Sequence, residues 1–360
     1  MPIADGSTYA PKTSPADDGP VIGAGEFNFA VAFLDHGHIN GQTSGLLGAG
    51  ATLRAVFDPD RSRVDAFVAN YPGTQIASSF DELLADDSIS MIASAAVPRV
   101  RAAIGERVLR SGKHYFTDKS PFTTLEQLES VRKTCRETDR RYFVYYAERL
   151  HNEAAWRAGE LVAAGAVGRV LQVVNLAPHR LSKGSRPDWF FDKRAYGGIL
   201  TDIGSHQVEQ FLTYSGCNDA TVNFARVDNF SNRDQPGLED FGELSLTGDN
   251  GASFYTRVDW FTPDGMPVWG DGRSFILGTD GSLEVRKYVD PGVQAPAGFI
   301  LKADSQGVER IECVDQVGYP FFGQMILDAL HGSEIAMSQA HIFKAAEISM
   351  RAQLLADERN

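Results

Sequence analysis

The chain has 360 residues, 43% of them hydrophobic, which is long for one compact core and ample for two domains sharing an interface. Its net charge of −13 and pI near 5.1 exclude nucleic acid or an anionic membrane as the main partner, because both require a basic face. Cys135, Cys217 and Cys313 are few, odd in number and far apart, which excludes a disulfide framework or a zinc cluster; without an apolar run of membrane-spanning length or a secretory leader in residues 1–20, the chain reads as soluble and cytoplasmic.

Residues 1–25, rich in Pro, Ser, Asp and Gly, predict a mobile or surface-draped arm. Its last residues, Val21-Ile22-Gly23-Ala24-Gly25, imitate a dinucleotide loop, yet no strand precedes them and no helix follows. The better candidate starts with an apolar strand over 27–34. It continues through Asp35-His36-Gly37-His38-Ile39-Asn40-Gly41 into a helix to about Ala49, then a strand over 52–57 that ends at Asp58. This is a βαβ unit with a carboxylate about twenty residues beyond Gly37, where a ribose hydroxyl is bound. Gly37 alone is in register with G-x-G-x-x-G, at the position that lets backbone approach a pyrophosphate; Asp35 and Asn40 replace the flanking glycines.

Alternation continues. Ser79-Phe80-Asp81-Glu82 has capping-box spacing for a helix to about Ala85, residues 89–97 form a buried strand ending at Pro98, and 99–111 are helical. A short strand over 114–117 leads to Asp118-Lys119-Ser120-Pro121, and Thr123-Thr124-Leu125-Glu126 caps a further helix before a strand over 141–146. Strands alternating with helices imply a doubly wound parallel sheet. A lysine at a strand end is ordinarily solvated, but Lys119 falls at the carboxyl edge of that sheet, where open α/β folds bind ligands.

After Ala147 the pattern changes to a helix over 153–164, a strand over 169–176 and an irregular aromatic stretch over 179–196 containing Arg186-Pro187-Asp188-Trp189-Phe190-Phe191. From Ala220, strands over 220–227, 241–246, 252–261, 273–277 and 282–288 follow without intervening helices, with two more within 298–313, which predicts an antiparallel sheet. Helices over 321–330 and 340–356 close the chain. Between these parts, Gly197-Gly198 opens a helix-like run whose apolar residues Ile199, Ile203, Val208, Phe211 and Leu212 recur until Gly216. Asp202 and His206 lie four apart on it and share a face; a carboxylate beside an imidazole is an acid/base pair, although the pair could equally be a core hydrogen bond or a capped turn.

Three separated motifs then agree in order. The sequence resembles the Gfo/Idh/MocA family from Asn28 to its last helix. The family's Glu-Lys-Pro motif is similar to Asp118-Lys119-Ser120, its Gly-Gly and Asp-x-x-x-His motif to Gly197, Gly198, Asp202 and His206, and its Asn-Arg stretch to Glu148-Arg149, with Glu for Asn and the proline one place late at Pro121. The resemblance implies an α/β chain: residues 26–147 a Rossmann domain, 148–335 an α+β substrate and oligomerisation domain with a large open, mostly antiparallel sheet, and 336–360 a helix packing back on the body. It implies hydride transfer between NAD, with NADP the alternative, and a secondary alcohol of a sugar, glycoside or cyclitol. Lys119, Asp202 and His206 are its catalytic residues, Asp35, Gly37, His38, Ile39, Asp58 and Lys119 its cofactor contacts, and Lys119, Glu148, Arg149, Trp189, Asp202 and His206 its substrate contacts. Tyr146, His151 and His179 are further candidates. Asp58 predicts NAD, since a carboxylate repels a 2′-phosphate, with Arg61 and Arg63 softening that preference. No metal is expected, and partners beyond the small molecule reduce to a second copy in a dimer or tetramer through the open sheet. Two rival readings are a metal-dependent isomerase or hydrolase built on Glu148, His151, Asp202 and His206, and an NAD-binding sensor without turnover.

Overall fold

The structure, a computed structural model, describes residues 19–358. The chain divides into two compact units, residues 19–145 with Tyr319–Phe343, and Tyr146–Gly318 with residues 344–358.

In the first unit, β1 (Asn28–Ala32), α1 (His38–Gly48), β2 (Thr52–Phe57), α2 (Arg61–Asn70), β3 (Gln75–Ile76), α3 (Phe80–Ala85), β4 (Met91–Ser94), α4 (Pro98–Arg110), β5 (His114–Asp118), α5 (Leu125–Thr138) and β6 (Tyr142–Tyr145) alternate strictly. The strands pair in parallel in the order β3-β2-β1-β4-β5-β6, so the chain reverses direction across the sheet between β1 and β4. Central strands of such a sheet are covered on both faces, which is why Phe29 to Ala32 and Met91 to Ser94 are continuously apolar or small and fully buried. Ser79 caps α3 by accepting from Glu82 N–H, as its spacing predicts. At α5 the cap is one residue later than expected: Thr124 accepts from Gln127 N–H while Gln127 Oε1 accepts from Thr123 N–H. Gln127 serves the reciprocal role as well as Glu126 would, so both registers satisfy the sequence rule. Pro98 opens α4 instead of closing a strand, because its fixed φ suits a first helical turn.

The expected arm over 1–25 lies outside the described residues as far as residue 18. Its described end is tied down, with Val21 N–H donating to the Ala49 carbonyl and Gly25 N–H to Thr52 Oγ1. The unit is completed by a distant segment, α11 (Pro320–His331) and the start of α12 (Gln339–Asp357), where Phe321, Phe322 and Phe343 pack on Phe116, Phe122 and Tyr142.

The second unit contains α6 (Ala147–Leu150), α7 (Glu153–Ala163), β7 (Val170–Pro178), α8 (Lys193–Tyr196), α9 (Ile199–Asp202), α10 (Gly204–Ser215), β8 (Ala220–Asp228), β9 (Phe241–Gly248), β10 (Ser253–Asp259), β11 (Arg273–Gly278), β12 (Gly281–Arg286), the hairpin β13 (Val289–Asp290) and β14 (Ala295–Pro296), β15 (Phe299–Asp304) and β16 (Gly307–Glu312). Eight of the strands form one sheet in the order β16-β15-β12-β11-β7-β10-β9-β8. It is antiparallel throughout except where β7 and β10 run parallel. Alternate residues such as Val173, Asn175 and Ala177 on β7, and Phe254, Thr256 and Val258 on β10, are buried, and α10 packs against these strands. The overall class is the expected α/β with a parallel sheet followed by a mostly antiparallel one.

The run from Gly197 to Gly216 is two helical segments and not one helix. Gly197 and Gly198 have φ of +91° and +90°, α9 follows, and the hydrogen-bond pattern breaks at Ile203. Ile203 keeps helical dihedrals, φ −79° and ψ −36°, so the path continues into α10 until Gly216 ends it with φ +70°. A Cβ at Gly198 would stand 2.3 Å from the Gln353 side chain, which donates and accepts around Leu200 N–H and Glu239. Glycine is required there by space and by backbone conformation alike.

Candidate active site

In the first unit the candidate cofactor residues lie at the carboxyl ends of parallel strands, chiefly β1, β2 and β5. The chain turns out of β1 at Phe33, which takes a left-handed φ of +61° while its ring packs on Phe57 and Phe80. The turn that the first glycine of the pattern would make is thus carried two residues earlier, by an aromatic residue pinned on both sides. Asp35 is free to be acidic: its carboxylate is paired with Arg63 and accepts from Val97 N–H at 3.3 Å, so its charge is compensated before any phosphate approaches. The close helix approach that the third glycine supplies comes from Gly41 and Gly45 instead of Asn40. A Cβ at Gly41 would lie 2.6 Å from Tyr145 Oη, and one at Gly45 2.2 Å from the Phe322 ring. Gly37 stands at the N-terminus of α1 in helical conformation; His38 and Ile39 begin the helix and are buried.

Asp58 ends β2 with its side chain 1% exposed. Oδ2 accepts from Leu34 N–H at 2.6 Å and Oδ1 from Asp60 N–H at 2.7 Å, which fixes the end of β2 against the β1 loop. Arg63 lies among Asp35, Asp58 and Asp60, whereas Arg61 is turned to Asp65.

Lys119 follows β5 and is buried, 8% exposed, unlike an ordinary strand-end lysine. The Lys119–Ser120 peptide bond is cis. Asp118 anchors it: Oδ1 accepts from Lys119 N–H at 2.8 Å and lies 2.9 Å from His38 Nδ1, while Oδ2 is 3.1 Å from Arg101 and 3.6 Å from His36. Arg101, 1% exposed, also donates to the carbonyls of Ala96 and Ser120. Burial opposes the Asp118 charge, but His38 and Arg101 hold its carboxyl well below the usual range.

In the second unit the candidate substrate residues lie mainly on α6, α9 and α10. Asp202 is 6% exposed and His206 is fully buried, with the Tyr146 ring 6.2 Å from its imidazole in an edge arrangement. Glu148 is fully buried; its carboxylate lies 3.1 Å from Lys287 Nζ, 2.9 Å from Gln207 Nε2 and 3.4 Å from His179 Nε2. Burial alone would raise the Glu148 carboxyl, but Lys287, His179 and His206 hold it well below its ordinary value. Arg149 forms a two-pronged ion pair with Glu209 and lies over the Trp156 ring. His151 is buried, and burial pushes it down to about 3. Trp189 is half-buried against Phe190, and Phe190 continues through Trp260 to His179 and Trp269.

The structure therefore groups Asp35, Gly37, His38, Ile39, Asp58 and Lys119 at one end of the parallel sheet, and Glu148 and His206 within one polar core. Among the described residues, the His/Cys/Asp/Glu group close enough to share a metal ion is His36, His38 and Asp118, whose ligand atoms lie within 4.8 Å of one another. Glu148, His151, Asp202 and His206 do not converge in that way, which removes the geometric basis of the metal reading. Arg101, Gln207, Gln210 and Lys287 were not anticipated. Gln207, Glu209 and Gln210 interrupt the apolar positions Val208, Phe211 and Leu212 on a helix whose residues 204–212 are all buried, and that is the available signal for a buried polar network.

Residues 20–146 match a family described as an oxidoreductase family with an NAD-binding Rossmann fold, and residues 156–284 match the Gfo/Idh/MocA C-terminal domain. The crystal structure of a candidate oxidoreductase from Erwinia carotovora atroseptica superposes with a TM-score of 0.89 at 45% identity, covering 92% of this chain and 99% of that one. An uncharacterized oxidoreductase of Schizosaccharomyces pombe is 27% identical over 41% of this chain and 39% of its own length. A D-xylose dehydrogenase of Paenarthrobacter nicotinovorans is 25% identical over 36% of this chain and 34% of its own. The chain thus spans between a third and two fifths of the length of these curated relatives.

Proposed function

The chain belongs to the Gfo/Idh/MocA oxidoreductase family, and from that premise we propose that it transfers hydride between NAD and a secondary alcohol of a sugar, glycoside or cyclitol. The observation that carries the reading is Lys119, buried and fixed at the carboxyl end of β5 through Asp118, in a unit whose β1 loop and Asp58 are joined at the same end of the parallel sheet.

The residues present fit the cofactor. Gly41 and Gly45 let α1 lie close to its neighbours, Arg63 compensates Asp35, and the β1 loop opens at the point where strand order reverses. Bound nicotinamide supplies the hydride acceptor or donor. Asp35, Gly37, His38, Ile39 and Asp58 would hold the dinucleotide. Around Arg63 three carboxylates outnumber one guanidinium, an environment that supports NAD over a cofactor carrying a 2′-phosphate.

On the alcohol, His206 takes the hydroxyl proton as hydride leaves the same carbon. Lys119 donates to the hydroxyl oxygen and stabilises the developing alkoxide. Asp202 orients His206 or a neighbouring hydroxyl, and Arg149 and Trp189 complete the substrate surroundings, whereas Glu148 is fully buried and engaged by Lys287 and Gln207. The D-xylose dehydrogenase relative supports a sugar as substrate. The same reading places the protein in the cytoplasm as a homo-oligomer formed through the open sheet face, where Phe275 and Leu277 are 37% and 48% exposed; size-exclusion chromatography with light scattering tests the assembly. Among the described residues no helix is long and apolar enough to cross a membrane.

The deciding experiment follows NAD reduction at 340 nm across a panel of aldoses, glycosides and cyclitols. General-base action is worth about 10²- to 10⁴-fold. His206→Ala and Lys119→Met are each expected to lower kcat by that order, and undiminished turnover in either would remove its residue from the mechanism.

A further inference from the structure

Behind His206 lies a charged core that acid/base chemistry on one alcohol does not require. Lys287 and Glu148 are both 0% exposed at the side chain, and Lys287 Nζ donates to Glu148 Oε2 at 3.1 Å and to Gln210 Oε1 at 2.9 Å. The same Oε2 accepts from Gln207 Nε2 at 2.9 Å, and Gln210 Nε2 in turn donates to the His206 carbonyl at 3.0 Å. The other oxygen, Oε1, lies 3.4 Å from His179 Nε2, and among the described residues neither atom has another hydrogen-bond partner. His179 Nδ1 is 3.1 Å from the Ala177 carbonyl, an obligate acceptor, so Nδ1 carries a proton.

A buried ion pair gains little net stability over well-packed apolar side chains, so this one is better explained by what it does to its neighbours. The charged or titratable groups around Glu148 are Lys287 beyond β12, His179 beyond β7, His206 and Tyr214 on α10, and the Arg149–Glu209 pair alongside. Tyr146 packs on the other ring, His206.

We infer that Glu148, locked by Lys287, is a positioning residue that holds His179 directly and, through Lys287, Gln207 and Gln210, the α10 turn that carries His206, and that it supplies the negative charge of that polar core. The inference rests on His206 as the acid/base group of the proposed reaction. The proton leaving the hydroxyl resides on His206 while the hydride passes to the cofactor, and Glu148 makes and breaks no covalent bond. A neutral amide at this position would orient the same groups without that charge.

Glu148→Gln preserves shape and the bonds to Gln207 and Lys287 while deleting the charge; Glu148→Gln with Lys287→Met deletes both charges and secures a folded comparison. A carboxylate near an imidazole shifts its titration upward by about one unit or more. In Glu148→Gln the acid limb of kcat/KM against pH is therefore expected to move about one unit lower, with kcat about tenfold down and KM within threefold. The double variant moves the same way by less. Histidine ¹⁵N NMR of the wild type and both variants, with the His206 signals identified by their loss in His206→Asn, reads the same displacement without turnover. Displacement of the His206 titration in a wild-type protein that oxidises no alcohol overturns the reaction and leaves this inference standing. Active enzyme whose pH limb and His206 titration coincide with those of both variants overturns the inference alone.

Discussion

Asp118 offers the sharpest test of how the cofactor half is held together. Its side chain and that of Arg101 are each 1% exposed, 3.1 Å apart. Asp118→Asn keeps a carbonyl oxygen for Lys119 N–H and removes the charge, leaving the Arg101 guanidinium buried with only the carbonyls of Ala96 and Ser120. Breaking a buried pair from one side costs about 3–5 kcal/mol; the two surviving carbonyls place this case near the lower figure, about 3 kcal/mol. In a unit of about 150 residues each kcal/mol displaces the melting midpoint by roughly 2–4 °C, so calorimetry should show a loss of about 6–12 °C at pH 7. Asp118→Asn with Arg101→Met, which abolishes both charges, should recover part of the loss. The pH dependence has a definite sign. Because the folded carboxyl lies well below its unfolded value near 3.9, its contribution is complete above about pH 4 and fades as pH falls further. Wild type and Asp118→Asn should accordingly converge toward pH 2. A variant melting within about 2 °C of wild type at pH 7 would refute the assignment of this pair as the clamp on Lys119.

Other outcomes follow from single features. Gly45→Ala places a methyl 2.2 Å from the Phe322 ring and should cost about 1–3 kcal/mol, read as a lower urea midpoint at unchanged slope; unchanged stability would mean that α1 and α11 are not in contact. His114, driven down to about 4 by burial and by Arg140 and Arg141, binds protons in the unfolded chain before the folded one, so stability should decline as pH drops from about 6.5 toward 4. His114→Gln should flatten that decline, and an unaltered slope would discard the argument. Asp58→Ser should narrow the preference for NAD over NADP and destabilise the β1–β2 junction, whose amides Asp58 now accepts; a cofactor titration showing tighter NADP binding to wild type would reverse the specificity argument.

Much of the fold is legible in the sequence because period and punctuation agree. Alternating apolar strands and capped helices before residue 146, and uninterrupted strands after residue 220, specify most strands of the two sheets to within a few residues, as at Thr52–Phe57 and Arg273–Gly278. What escaped is set by long-range geometry. Nothing local reveals that β7 pairs with β10 in parallel, since the two are separated by about eighty residues. Nor does a glycine template reveal that Phe33 makes the turn and Gly41 the close approach, because both depend on rings supplied by Phe57, Phe80 and Tyr145. In the candidate site, motif positions such as Lys119 and His206 were visible, whereas Arg101 and Lys287, distant in sequence and ordinary by residue type, acquire meaning only through the buried carboxylates they meet.

Both neighbours of β7 in its sheet are synthesised long after it: β10 begins at Ser253 and β11 at Arg273, whereas β7 ends at Pro178. During translation an apolar strand with two bare edges must therefore wait about 75 further residues for β10 to cover one edge and about 95 for β11 to cover the other. The vulnerable interval in the life of this protein falls before it is finished, so expression yield should respond to slowed elongation beyond Pro178 more than to slowed elongation within the first 145 residues, where each strand meets a neighbour soon after it emerges.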